Sequence, residues 1–232
     1  MGPASLPTKI VTGAILFCVP VLLAALAVPR FLQGARTEAF RSVVDSGALG
    51  ERLSASSYRA AAAAYADTAP EDAEGLADRA QVLVLTAEND PATISRSRDL
   101  VIRSLLDAPS NPQAWLLFCQ IEDRRTPQAA VACLDRAFTV SAFDWYTAGR
   151  RMSLAAVNWS FLNERVRNKA VSLVLPMWNS TGWTSGLTLR GALYDLSLSN
   201  EGRQLLRAGF ATDREALRSF NRFVLDERFN GH

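Results

Sequence analysis

The chain opens on a run of uncharged, mostly apolar residues and then changes character. Residues 10–28 read IVTGAILFCVPVLLAALAV, nineteen positions without a charged side chain. A helix of that length rises roughly 28 Å, close to the thickness of a bilayer's hydrocarbon core. Pro20 frees one backbone carbonyl and bends such a helix, a defect that membrane helices tolerate. The run predicts a single membrane-spanning helix. The alternative is a cleaved secretory signal, with Lys9 as the basic start and Ala25, Leu26 and Ala27 in the small-x-small form of a cleavage site. Beyond residue 28 no period-two alternation is sustained, and alanine, leucine and arginine recur at helical spacing. Proline, glycine, asparagine and aspartate punctuate the chain near residues 67–70, 88–91, 107–112, 124–127, 179–186 and 208–213. The helices left between are short, so each can bury its apolar stripe only against an antiparallel neighbour. The predicted architecture is all-α. It comprises a short tail at 1–9, the membrane helix at 10–28, connecting helices at 29–70, helix pairs over 71–178 and a helical cap at 179–232. In that cap Asp213 starts a helix with Leu217, Phe220 and Val224 on one face.

Charge narrows the function classes. The 232 residues carry 25 Lys and Arg against 23 Asp and Glu, and past Arg30 the two signs are equal in number. A chain so balanced lacks the basic stripe that displaces counterions from a nucleic acid, so no nucleic-acid partner is expected. His232 is the single histidine, which argues against histidine triads, histidine proton shuttles and His-ligated metal sites. No glycine-rich phosphate loop, CxxC pair or serine nucleophile elbow occurs. Asp195, Glu201, Asp213 and Glu215 could be drawn together as glycosidase carboxylates, yet each reads more simply as a helix cap or a surface charge. The expectation is a protein without cofactor, metal or enzymatic activity. The positive-inside rule weighs Lys9 against Arg30, Arg36 and Arg41 without a clear winner. Long polar-faced domains that follow a signal-like start usually cross the membrane, so the bulk of the chain is expected on the far side.

One segment carries a repeat pattern. Asn111, Pro112, Gln113, Ala114 and Trp115 are followed by Phe118 and Cys119, then by Ala130, Leu134 and Ala137. This resembles a tetratricopeptide repeat. In that family small residues let the two helices of a hairpin approach closely, and large ones fill the groove between hairpins. A weaker match lies about one repeat earlier, with Val101, Ser104 and Pro109 in place. The resemblance implies a divergent α-solenoid. Together with the anchor and the cap, it is similar in architecture to accessory proteins of bacterial envelope and exopolysaccharide assembly. Arginine-rich, lysine-poor usage is associated with bacterial genomes of high GC content. What the resemblance implies is an adaptor in the bacterial inner membrane, single-pass and mainly periplasmic, that binds a protein partner. A secreted or periplasmic glycan-binding module and an envelope hydrolase are the alternatives.

Three groups of residues are candidates for sites. Cys119 and Cys133 fall at similar heights on the two helices of the best hairpin, where they form either a disulfide or two small buried thiols. Trp145, Tyr146, Arg150, Arg151 and Trp159 share one predicted helical region. They suit a partner-binding surface, since tryptophan and arginine are common interface anchors, although a tryptophan at helical spacing is more often core and an arginine pair more often solvated. Trp178 and Trp183 flank small polar residues in a predicted loop. Such a loop could stack a sugar ring or clasp a peptide, or its rings could pack into the core. The sequons at Asn158 and Asn179 are short enough to arise by chance.

Overall fold

A computed structural model describes residues 6–48, 53–68, 72–87, 90–141, 144–180 and 183–230, and among them all regular structure is helical. The chain divides into two compact units, Met1–Ala69 and Pro70–His232. In the first, α1 (Leu6–Ala48) packs with α2 (Ala55–Ala64). Two long-range hydrogen bonds hold the pair: Gln33 donates to the Ala64 carbonyl at 3.2 Å and the Tyr65 hydroxyl to the Thr37 carbonyl at 3.3 Å. Among the described residues no helix is long and apolar enough to cross a membrane. The anchor expected at 10–28 lies inside α1, where the side chains at 10–17, 19, 20 and 26 are outside the described residues.

The second unit is built from helix pairs whose starts follow the punctuation of the sequence. Helix α3 is Ala73–Thr86, α4 Pro91–Asp107, α5 Pro112–Asp123, α6 Pro127–Val140, α7 Trp145–Val157 and α8 Glu164–Trp178. Proline opens α4, α5 and α6, where its fixed φ suits the first turn and its missing N–H costs nothing. The preceding residue caps each start: the Asp90 carboxylate accepts from the Thr93 N–H at 3.0 Å, the Asn111 side chain from Ala114 at 3.1 Å and Thr126 Oγ1 from Ala129 at 3.2 Å. A further bond from the Thr93 hydroxyl holds the Asp90 carboxyl below its ordinary pKa. Asp144, Asn163, Ser199 and Asp213 cap in the same way further along the chain.

Helices α3 and α4 form one hairpin and α5 and α6 the next, and α7 follows with α8. First helices stack on first helices, α3 with α5 and α5 with α7, while α6 stacks on α8. Helices α9 (Trp183–Ser197) and α10 (Asn200–Gly209), which the sequence places in a cap, extend the same arrangement: α9 packs on α7 and α10 on α8. Helix α11 (Arg214–Asn230) then closes against α8. Two glycines permit α9 to pack on α7 and α10 on α8. A Cβ at Gly149 would stand 2.8 Å from that of Ala192, and one at Gly209 would stand 2.4 Å from that of buried Val174. Gly209→Ala is therefore expected to destabilise this unit by about 2 kcal/mol, measured as a lower urea midpoint, because neither Cβ can rotate away. An unchanged midpoint would mean that α8 and α10 are less closely packed.

Two apolar clusters fill the unit. One, containing Leu76, Ala80, Val101, Leu117 and Ile121, joins α3, α4 and α5. The other runs from Leu116 in α5 to Phe220 in α11, and Phe118 packs against both. At the α4–α5 seam the buried Glu122 is held by Arg98 at 2.6 Å and Arg125 at 2.9 Å. Two cations around one carboxylate offset much of the cost of taking it out of water.

Candidate partner-binding site

The aromatic and arginine group expected to share one surface is divided by the structure. Successive residues of a helix turn by 100°, so Trp145 and Tyr146 at the start of α7 face different clefts. Trp145, 37% exposed, lines a cleft of about 580 Å³ between α6 and α8, together with Phe138, Lys169, Leu173 and Pro176. Tyr146 lies instead beside Asn111, Gln113 and Thr147, near the starts of α5 and α7. Arg150, half-buried, donates to the Gln120 side chain of α5 at 2.8 Å, and desolvation lowers its pKa to about 10. Trp159 sits in the short 3-10 turn Trp159–Phe161, with the Arg167 guanidinium 5.4 Å over its ring and donating to its carbonyl at 3.0 Å.

Arg151 is wholly buried, 0% exposed, although a charged residue beside another arginine reads as solvated. It takes the place of an apolar side chain on the inner stripe of α7, between Ala148 and Ala155. Its guanidinium donates to the Asp144 carbonyl at 2.9 Å and to the Ala137 carbonyl at 3.5 Å, and lies over the Phe138 ring at 5.5 Å. Ala137 is in the last turn of α6, where a cation complements the negative end of the helix. Desolvation lowers the Arg151 pKa to about 10, which leaves the group charged at neutral pH.

Trp178 is likewise core. It ends α8, is 8% exposed, and meets Phe220 and Phe210 edge-on at 5.5 and 6.4 Å, with Arg190 5.0 Å over its ring. Of the two readings of the loop around Trp178 and Trp183, a sugar- or peptide-facing loop or rings packed in the core, Trp178 takes the second, and both residues belong to helices, α8 and α9. The Trp183 side chain lies outside the described residues. Cys119 and Cys133 are joined as a disulfide across the α5–α6 hairpin, with Cα atoms 5.6 Å apart. Among the four carboxylates considered for hydrolysis, Asp213 caps α11, while Glu201 and Glu215 lie in the first turns of α10 and α11. Burial raises the Asp195 pKa.

The Trp145 cleft has an apolar wall and a charged rim. The wall is Phe138, Leu173 and Pro176 with the tryptophan ring. On the rim, Lys169 donates to Asp135 at 2.5 Å and to the Thr139 hydroxyl at 2.7 Å, and Arg165 reaches the same Asp135 oxygen at 3.3 Å. Two cations share one carboxylate, so the rim keeps a surplus positive charge. Arg165, its side chain 71% exposed, presents that charge to solvent. Pro176 lies inside α8 and has no N–H to give the Ser172 carbonyl four residues back. Sequence reasoning found Trp145 but missed Arg165 and Lys169. The presence of one lysine in an arginine-rich domain was the signal at hand. Among the described residues no group of three or more His, Cys, Asp or Glu is placed to hold a metal ion.

No protein-family model, curated protein or solved structure matches the chain.

Proposed function

We propose that the chain is a non-enzymatic, membrane-anchored adaptor of the bacterial envelope whose helical domain binds a protein partner in the Trp145 cleft. The observation that carries this reading is a partly exposed tryptophan at the mouth of an apolar cleft, next to a net positive rim. That arrangement suits a partner that inserts an apolar side chain beside a carboxylate. The anchor rests on the uncharged stretch at 10–28, on the continuity of α1 through it, and on the exposed Val21, Leu22, Leu23 and Val28, apolar side chains that water disfavours. The helix pairs form a divergent tetratricopeptide-like array. In support, Cys119, Ala130, Leu134 and Ala137 are all at 0% exposure inside the α5–α6 hairpin, while Trp115 and Phe118 lie at its partly buried edge. A periplasmic location follows from the same topology and suits the disulfide, which persists in oxidising compartments.

The experiment is affinity purification of the full-length chain from its membranes after mild crosslinking, with partners identified by mass spectrometry. One stoichiometric membrane protein is expected, with binding weakened about thirtyfold by Trp145→Ala and less by Arg165→Ala, in line with an interface anchor and a rim charge. Equal recovery with both variants would move the interface elsewhere. Recovery of the chain alone, beginning after residue 27, would replace the adaptor by a secreted module, and glycans would then be the ligands to screen.

A further inference from the structure

We propose that the cleft between α10 and α11 binds a phosphate ester that carries a short apolar group. The cleft has a volume of about 170 Å³. Arg203 and Arg207 of α10 and Arg228 of α11 line it above an apolar floor that includes Leu217, Phe220 and Val224, and no acidic side chain lines it. Arg203 is engaged, donating to the Ser197 carbonyl at 2.9 Å and to the Asn200 side chain. Arg207 and Arg228 make no ion pair among the described residues. Arg203 and Arg207 stand four residues apart on one helix, a spacing at which like charges repel. Arg207 and Arg228 each occupy the last turn of a helix, which explains a cation there but not the convergence of both on one cleft with a third.

Arg207 and Arg228 present two open guanidinium forks beside the engaged Arg203, and a phosphate supplies oxygen atoms to both with up to two negative charges. The volume equals about six water molecules at roughly 30 Å³ each. A phosphate and several carbon atoms fit that volume. The apolar floor receives the carbon end. Such a ligand can be a phospholipid headgroup or a soluble phosphate ester, and the chemistry recognised is the same. The cleft shares no lining residue with the Trp145 site, so the inference is independent of the adaptor reading.

The test is isothermal titration calorimetry of the full chain in a non-ionic detergent at low salt. Three probes are used: dihexanoyl phosphatidic acid below its micellar concentration, inorganic phosphate, and dihexanoyl phosphatidylcholine. Saturable binding of phosphatidic acid is expected, weakening as salt rises and at least tenfold weaker in an Arg207→Gln, Arg228→Gln double variant of unchanged melting temperature. Both arginines are on the surface, so the variant should fold. Equally tight binding of inorganic phosphate, lost in the same variant, would overturn the apolar half of the proposal and leave a site for phosphate alone. Absence of binding by both anionic probes, full retention of binding in the double variant, or equal affinity for phosphatidylcholine would each overturn the proposal.

Discussion

Arg151→Ala is expected to destabilise the helical domain by about 3 kcal/mol, which for a unit of this size lowers the melting temperature by roughly 6–12 °C. The substitution empties the space that the side chain fills at 0% exposure and removes the donors that serve the Asp144 and Ala137 carbonyls. Arg151→Met tests the reason. Methionine restores most of the volume without a charge, and replacement of a buried ionic group by an apolar one of similar size is often neutral or stabilising. Desolvation puts the folded pKa of Arg151 below that of a free guanidinium, so burial of the charge opposes folding at neutral pH, and the opposition fades only as pH rises past about 10. Melting curves at neutral pH should therefore rank wild type near Arg151→Met, with Arg151→Ala well below both. If Met is as damaging as Ala, the carbonyl bonds matter more than the volume.

Reduction of the Cys119–Cys133 bond should cost about 3 kcal/mol as well, since it closes a loop of about fifteen residues whose release enlarges the unfolded ensemble. Scanning calorimetry with and without a phosphine reductant checks this, with a fall of roughly 6–12 °C expected. The Cys119→Ser, Cys133→Ser double variant should melt with the reduced protein and no longer respond to the reductant. A melting temperature indifferent to reductant would show two separate thiols. Mass spectrometry of chain isolated from its own cells carries the result to topology: a bond present before lysis places the domain in an oxidising compartment.

Helix starts were the most legible part of the sequence because their chemistry is local. Asp90-Pro91, Asn111-Pro112 and Thr126-Pro127 each join a capping side chain to a proline, and all three open helices. Asp213 also caps the helix expected of it, with Phe220 buried and Leu217 and Val224 partly so. Burial was less legible, because it depends on what lies opposite. Arg150 and Arg151 are chemically identical neighbours, yet 100° of helix rotation sends one to Gln120 at a seam and the other into the core. Trp178 reads as a loop aromatic until Phe210 and Phe220, more than thirty residues later, are folded against it. The extension of the helix stacking into α9 and α10 depends on Gly149 meeting Ala192 and Gly209 meeting Val174, small-residue contacts without a repeat consensus. Of the Trp145 cleft the sequence showed the tryptophan and not the charged rim, since Arg165 and Lys169 come together with Asp135 only when α8 lies along α6.

The most extensive contacts of the second unit join a helix to its successor or to members of the adjoining pair, and α11 returns to α8. Closure of such contacts loses little chain entropy, so the domain should collapse on the microsecond to millisecond scale typical of helical proteins with local contacts. The α5–α6 hairpin can then form as soon as both its helices exist, which brings Cys119 within reach of Cys133 before the later helices are needed. Oxidation would lock the middle of the array while its carboxyl-terminal helices are still being made.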